Sequence, residues 1–164
     1  MMIEKEKIGF IGIGKLGLDC AEVMAEKHEV RGYDIYPRTS DSVKVCDIQE
    51  LVDESEWIFI AVPTPHTEGY DGSVPSSHMT PKDFGHDAVL DAINKVNQHA
   101  RTSKKVVLIS TVLPGTTRSK FITLLDKKHQ FLYNPYLIAM GSVKWGMANP
   151  EMVIIGTEDG ELTG

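Results

Sequence analysis

The run Gly12-Ile13-Gly14-Lys15-Leu16-Gly17 constrains this chain more than any other stretch. It closes the short apolar segment 7–12 (KIGFIG) and opens residues 15–27, where Leu16, Cys20, Val23 and Met24 fall at i, i+4, i+7 and i+8. That is strand, tight turn and amphipathic helix, in that order. In such a G-x-G-x-x-G turn the first glycine permits the bend, the second lets a pyrophosphate approach the backbone and the third packs helix on strand. The helix N-terminus then faces the phosphates. Asp34 follows 22 positions after Gly12, at the end of a second strand predicted over 29–34. A carboxylate there accepts both hydroxyls of an adenosine ribose and repels a 2′-phosphate. The combination predicts an NAD site, with Gly12, Ile13, Gly14, Lys15, Leu16, Gly17 and Asp34 as cofactor-binding residues. The competing reading is a glycine-rich turn that only packs helix against sheet. Arg38 is a further candidate, for adenine or a phosphate, against a solvated surface arginine.

Downstream, strands are expected over 43–46, 57–62 (WIFIAV), 105–110 (KVVLIS), 130–133 and 152–156, since continuous apolar runs suit strands buried on both faces of a parallel sheet. Between them lie helical segments over 47–54 and 117–127, the latter with Phe121, Ile122, Leu124 and Leu125 inward. Another helix is expected to begin at Thr80 as N-cap, with Pro81 first and Asp83 near the positive end, and to face inward through Val89, Ile93, Val96 and Ala100. Strands alternating with helices in this way predict an α/β fold: a doubly wound (Rossmann), mostly parallel sheet flanked by helices, in the order 3-2-1-4-5-6. The polar loop 63–80, rich in Gly, Ser and Pro, leaves strand 4 at the cofactor crevice. In that strand order the crevice lies outside the carboxyl ends of strands 1 and 4, with strand 5 alongside. Val62, Pro63 and Thr64 therefore meet Ser110 and Thr111 at the glycine turn. The two threonine hydroxyls are candidates for cofactor or substrate, although threonine at a strand end is also a common turn residue.

Composition narrows the partners. With 164 residues and 41% apolar, the chain suits one domain. Lys+Arg 17 against Asp+Glu 23 gives a net charge of −6 with neither sign in a block, which predicts no nucleic-acid or membrane surface and leaves small molecules or proteins as partners. Only Cys20 and Cys46 are present, read as small core residues in a reducing compartment, with the cytoplasm expected. No apolar run approaches the roughly 18 residues that span a bilayer. His66, His78 and His86 have no metal-ligand spacing and are expected on the surface, so no metal is predicted. Tyr70 and Asp71, in the long loop, are either sugar-nucleotide contacts or part of a disordered turn. The polar stretch 157–164 directly after a strand reads as a cut, so residues 1–164 are expected to be one domain with a partner domain beyond.

Several motifs together resemble the UDP-glucose/GDP-mannose dehydrogenase family, the NAD-dependent nucleotide-sugar 6-dehydrogenases. They are the glycine turn, Asp34, Val62-Pro63-Thr64-Pro65, Ser110-Thr111-Val112-Leu113-Pro114-Gly115-Thr116-Thr117, Tyr133-Asn134-Pro135 with Gly141, and Asn149-Pro150 leading to Val153-Ile154-Ile155-Gly156. The resemblance covers nearly the whole chain as that family's N-terminal NAD-binding domain. It implies oxidation of a nucleotide sugar at its C6 alcohol, a homodimeric full-length form, cofactor contact by Thr64, and a water-positioning, catalytic Thr111 beside the nicotinamide. It also implies that a substrate and dimerisation domain, carrying the nucleophilic cysteine, a lysine and an asparagine, lies beyond residue 164. The family's NPEFLREG becomes Asn134-Pro135-Tyr136-Leu137-Ile138-Ala139-Met140-Gly141 here, so its two glutamates are replaced by Tyr136 and Met140, the substrate-side candidates. The segment from Asp34 to Val62 is shorter than the family's. It is more like the 6-phosphogluconate and 3-hydroxyisobutyrate dehydrogenase group, and a 3-hydroxyacid dehydrogenase or a non-catalytic dinucleotide-binding module stand as alternatives.

Overall fold

A strand buried on both faces must send apolar side chains alternately to two cores, and β5 (Lys105–Leu108) does so: Val106 and Leu108 point to one layer, Val107 and the following Ile109 to the other. β4 (Trp57–Ile60) repeats the pattern, with Ile58 and Ile60 against Phe59. In β1 (Lys7–Ile11) Phe10 stacks on Phe59 at 5.0 Å between ring centroids. The computed structural model describes residues 4–137, 141–158 and 160. With β2 (Glu29–Tyr33), β3 (Lys44–Val45) and β6 (Gln130–Tyr133), these strands form one sheet in the order β3-β2-β1-β4-β5-β6, parallel at every pairing. This is the doubly wound (Rossmann) arrangement expected from the sequence.

One face is covered by α1 (Lys15–Ala25) and α5 (Val143–Ala148), through Cys20, Ala21 and Val143. The other is covered by α2 (Ile48–Glu54), α3 (Asp87–His99) and a π-helical turn, Thr117–Phe121, that runs into the short α4 (Ile122–Leu124). Leu51, Val52, Val89, Ile93, Val96 and Phe121 fill that layer. α2 begins where Asp47 accepts the Glu50 N–H at 2.8 Å, an ordinary N-cap. α5 escapes a reading of periodicity because it is one and a half turns long and buries only Val143.

Several boundaries differ from expectation, among them the ends of β4 and β5, at Ile60 and Leu108 rather than at 62 and 110. α3 begins at Asp87, not after Thr80. The Asp83 carboxylate takes the Phe84 N–H at 2.8 Å and the Gly85 N–H goes to the Pro65 carbonyl at 2.8 Å, so backbone donors that a longer helix would need are engaged elsewhere. Residues 152–155 do not form a strand: only Gly156 bridges β6, antiparallel at Tyr133, and the Asn134 amide takes the Ile154 carbonyl at 2.8 Å in place of a ladder bond. The helix expected over 117–127 ends at Leu124, and Ile122 and Leu124 are only half-buried. Cys46 follows β3 rather than lying in it.

Candidate functional site

At the carboxyl ends of β1 and β4 the sheet opens into a cleft of about 600 Å³. Its floor is the glycine turn. Gly12 has φ +91°, and a Cβ there would lie 2.6 Å from the Ala61 carbonyl oxygen; a Cβ on Gly17 would lie 1.9 Å from the carbonyl oxygen of Gly12 itself. α1 therefore rests directly on the turn. The space in front of Gly14 is open, with nothing within 4 Å of where a Cβ would stand. α1 starts at that residue with no side-chain cap and no acidic residue in its first turn, so the positive end of its dipole and its unpaired N–H groups face the cleft beside Lys15 and Leu16. Open space before an uncapped helix N-terminus is what a pyrophosphate requires, so the turn fits NAD.

Asp34 lines the cleft at the end of β2. Its Oδ2 accepts the Ile13 N–H at 3.0 Å and its Oδ1 accepts the Tyr36 N–H at 2.9 Å, while the Arg38 Nε stands 3.9 Å from Oδ2. Each carboxylate oxygen keeps a lone pair for a ribose hydroxyl. Ile13 and Gly17 do not line the cleft: the Ile13 side chain is wholly buried, and Gly17 serves as the contact of helix on turn. Both shape the site from beneath.

On the other side of the turn, the ends of β4 and β5 are tied by two hydroxyls. Ser110 Oγ donates to the Val62 carbonyl at 2.6 Å, and Thr64 Oγ1 donates to the Thr111 carbonyl at 2.8 Å. Val62, Pro63, Thr64, Ser110 and Thr111 all line the cleft, with Ser110 buried and Thr111 exposed. Tyr136 lines it too, and burial, with Cys20 adding, pushes its phenol pKa well above the ordinary value. Met140 lies outside the described residues.

Sequence reasoning missed the flank between β2 and α3, where Tyr33, Ile35, Tyr36, Ala88, Asp91, Ala92 and Lys95 add to the lining. Lys95 pairs with Asp91 and holds its ammonium 5.5 Å from the centre of the Tyr33 ring. Donating a hydrogen bond to the Asp91 carboxylate raises the Lys95 pKa. The i, i+4 spacing of that pair was a signal, but a helix flank that faces a cleft reads like one that faces solvent.

Outside the cleft, Cys20 is buried and its thiol pKa is pushed up to about 12 by burial, with Asp19 adding, while burial also raises that of Cys46. Neither thiol lines the cleft. His86 corrects the expectation of three surface histidines. It is buried edge-on against Phe121, with Nδ1 3.2 Å from Lys120 Nζ and Nε2 3.4 Å from Asp83 Oδ1, whereas His66 and His78 are exposed. In the long loop, Asp71 accepts from the Ser73 N–H and hydroxyl, and the Tyr70 hydroxyl donates to the Thr80 carbonyl, so both form an internally bonded turn.

Fold and site together define a dinucleotide-binding domain of the doubly wound kind. The NAD binding domain of the UDP-glucose/GDP-mannose dehydrogenase family matches residues 38–163, and the chain belongs to that family, with NAD as its cofactor. A UDP-N-acetyl-D-mannosamine dehydrogenase of Methanococcus vannielii is 25% identical over 174 residues, taking in 92% of this chain and 39% of the relative. A GDP-mannose dehydrogenase structure from Pseudomonas aeruginosa superposes with a TM-score of 0.76 at 21% identity, covering 92% of this chain and 41% of that one. A UDP-glucose dehydrogenase structure from Pyrobaculum islandicum gives 0.75 at 22% identity, covering 95% and 41%. These structural likenesses concern the fold. The chain thus spans about two fifths of the length of such relatives. Among the described residues no helix is long and apolar enough to cross a membrane.

Proposed function

We propose that this chain is the cofactor-binding portion of an NAD-dependent oxidoreductase that oxidises the C6 alcohol of a nucleotide sugar, in a full-length form that is a homodimer. The observation that carries the reading is the meeting, in one cleft, of the phosphate-binding turn with Thr64 and Thr111 from two separate motifs of the family. Bound NAD supplies the hydride acceptor. The chain's own share is to hold and orient it: the first-turn N–H groups of α1 take the pyrophosphate, and Asp34 takes the adenosine ribose hydroxyls with Arg38 alongside. Thr64 locks the wall by its bond to the Thr111 carbonyl, and the exposed Thr111 hydroxyl positions a water for the reaction.

Two cysteines with raised pKa values, neither in the cleft, leave this chain without a nucleophile for a covalent second oxidation. By itself it is therefore expected to bind NAD and turn over no sugar. Calorimetric titration with NAD should show binding, and reduced-cofactor absorbance with UDP-glucose or GDP-mannose should stay flat. A sustained signal abolished by Cys46→Ser would overturn the proposal. Tyr136, in the cleft at a position where the family resemblance implies a glutamate, favours a second reading, a non-catalytic dinucleotide-binding module. On that reading turnover stays absent even in a protein that supplies the remaining length of the family.

A further inference from the structure

Tyr136 stands between two cavities. On one side is the cleft of about 600 Å³; on the other is an apolar cavity of about 200 Å³ bordered by Met24, Met147 and Met152. The tyrosine packs against the buried layer that contains Ile13 and Cys20, and the backbone leading to it is fixed at Asn134, whose N–H donates to the Leu108 carbonyl at 2.9 Å and whose amide donates to the Ile154 carbonyl at 2.8 Å. Asp34 ends β2, on one side of the glycine turn; Tyr136 follows β6, at the far edge of the sheet on the other. A dinucleotide whose adenosine ribose sits on Asp34 and whose pyrophosphate crosses the turn must bring its second base to the Tyr136 side.

We propose that Tyr136 positions the nicotinamide of bound NAD, its ring serving as the aromatic wall that closes that end of the cleft off from the apolar cavity behind. The inference rests on the NAD site described above and adds to it the contact that recognises the nicotinamide. The ring contributes and the hydroxyl does not. With its pKa raised by burial, the phenol keeps its proton at neutral pH and is a poor base. A flat ring offers a flat heteroaromatic base an offset or edge contact that an aliphatic side chain does not. Without the ring, the base would face a void a third the volume of the cleft itself.

The test compares NAD with ADP-ribose, which carries the same adenosine and pyrophosphate but no nicotinamide. In calorimetric titrations of this chain, Tyr136→Ala should weaken NAD about tenfold and leave ADP-ribose within about twofold, the size of one aromatic contact. Tyr136→Phe, which keeps the ring, should restore both wild-type affinities. Tyr136→Leu keeps most of the packing volume, so a loss of NAD affinity there, with ADP-ribose unchanged and an unaltered Tm, separates contact from folding. Equal weakening of both ligands in the Ala and Leu variants, unchanged NAD affinity, or a loss in Tyr136→Phe as large as in Tyr136→Ala would each overturn the proposal. If the unaltered chain binds neither ligand, the NAD site itself falls; if it binds both and only the variant pattern fails, the role of Tyr136 alone falls.

Discussion

On the β1–β2 side of the cleft, shape is set where atoms leave no room: Gly12 and Gly17 stand so close to neighbouring carbonyl oxygens that any Cβ would collide, and the Asp34 carboxylate pins the turn through the Ile13 N–H. On the β4–β5 side, shape is set by hydroxyls reaching carbonyls, Ser110 to Val62 and Thr64 to Thr111, and by the packing of Tyr136. At Gly12 and Gly17 the first side depends on the absence of atoms and leaves no room for a side chain. The second depends on side chains, each removable at a moderate cost. A site built this way can change one wall while the glycine turn stays constant, and Tyr136 lies on the changeable wall.

The largest effect should come from Gly17→Ala. A methyl group 1.9 Å from the Gly12 carbonyl oxygen forces α1 off the turn, so NAD affinity should fall roughly 100-fold or more and Tm should drop, since overpacking costs about 1–3 kcal/mol or more. Calorimetry with thermal unfolding decides it; near-normal binding would dissolve the contrast between the two sides. Next in size is cofactor choice. The chain should prefer NAD to NADP, and Asp34→Asn, which removes the charge and leaves one acceptor oxygen for the Ile13 and Tyr36 N–H groups, should narrow the ratio of the two dissociation constants about tenfold, the scale of one charge-assisted hydrogen bond. Equal or tighter binding of NADP by the unaltered chain would mean that Arg38 governs the ribose end. The smallest effects belong to the other wall. In a turnover-competent protein containing this domain, Thr111→Ala should cost more than Tyr136→Phe, and the latter less than about tenfold, below the roughly 10²–10⁴ that follows loss of a general base. Steady-state kinetics on both variants measures this; a more damaging Tyr136→Phe would make Tyr136 an acid–base residue.

The same contrast explains what could be read before any coordinates. The glycine turn, α1 and Asp34 span one βαβ unit, so their relation is local and visible in spacing. Thr64 and Thr111 are 47 positions apart and become neighbours only through the strand order. The alternation of continuous apolar runs with helical segments pointed to a doubly wound fold, and its order 3-2-1-4-5-6 is the one observed. They failed at 152–155, where apolar residues remain exposed because the Asn134 amide occupies the carbonyl a ladder would need. The start of α3 and the burial of His86 were hidden for a related reason. Both depend on Asp83, Pro65 and Lys120, polar or loop residues whose partners no periodic pattern encodes. Asp91 and Lys95 look like any solvated helix flank until β2 is placed opposite them.

The bond between Asp34 and the Ile13 N–H also limits how this domain can drift. The carboxylate proposed to hold the ribose also braces the glycine turn. A mutation to glycine, alanine or serine that makes room for a 2′-phosphate would at the same time unbrace that loop, lowering affinity for both coenzymes before the new one gains anything. A switch of coenzyme in this lineage, or at an engineer's bench, is therefore a two-step path whose first step must supply another acceptor for Ile13.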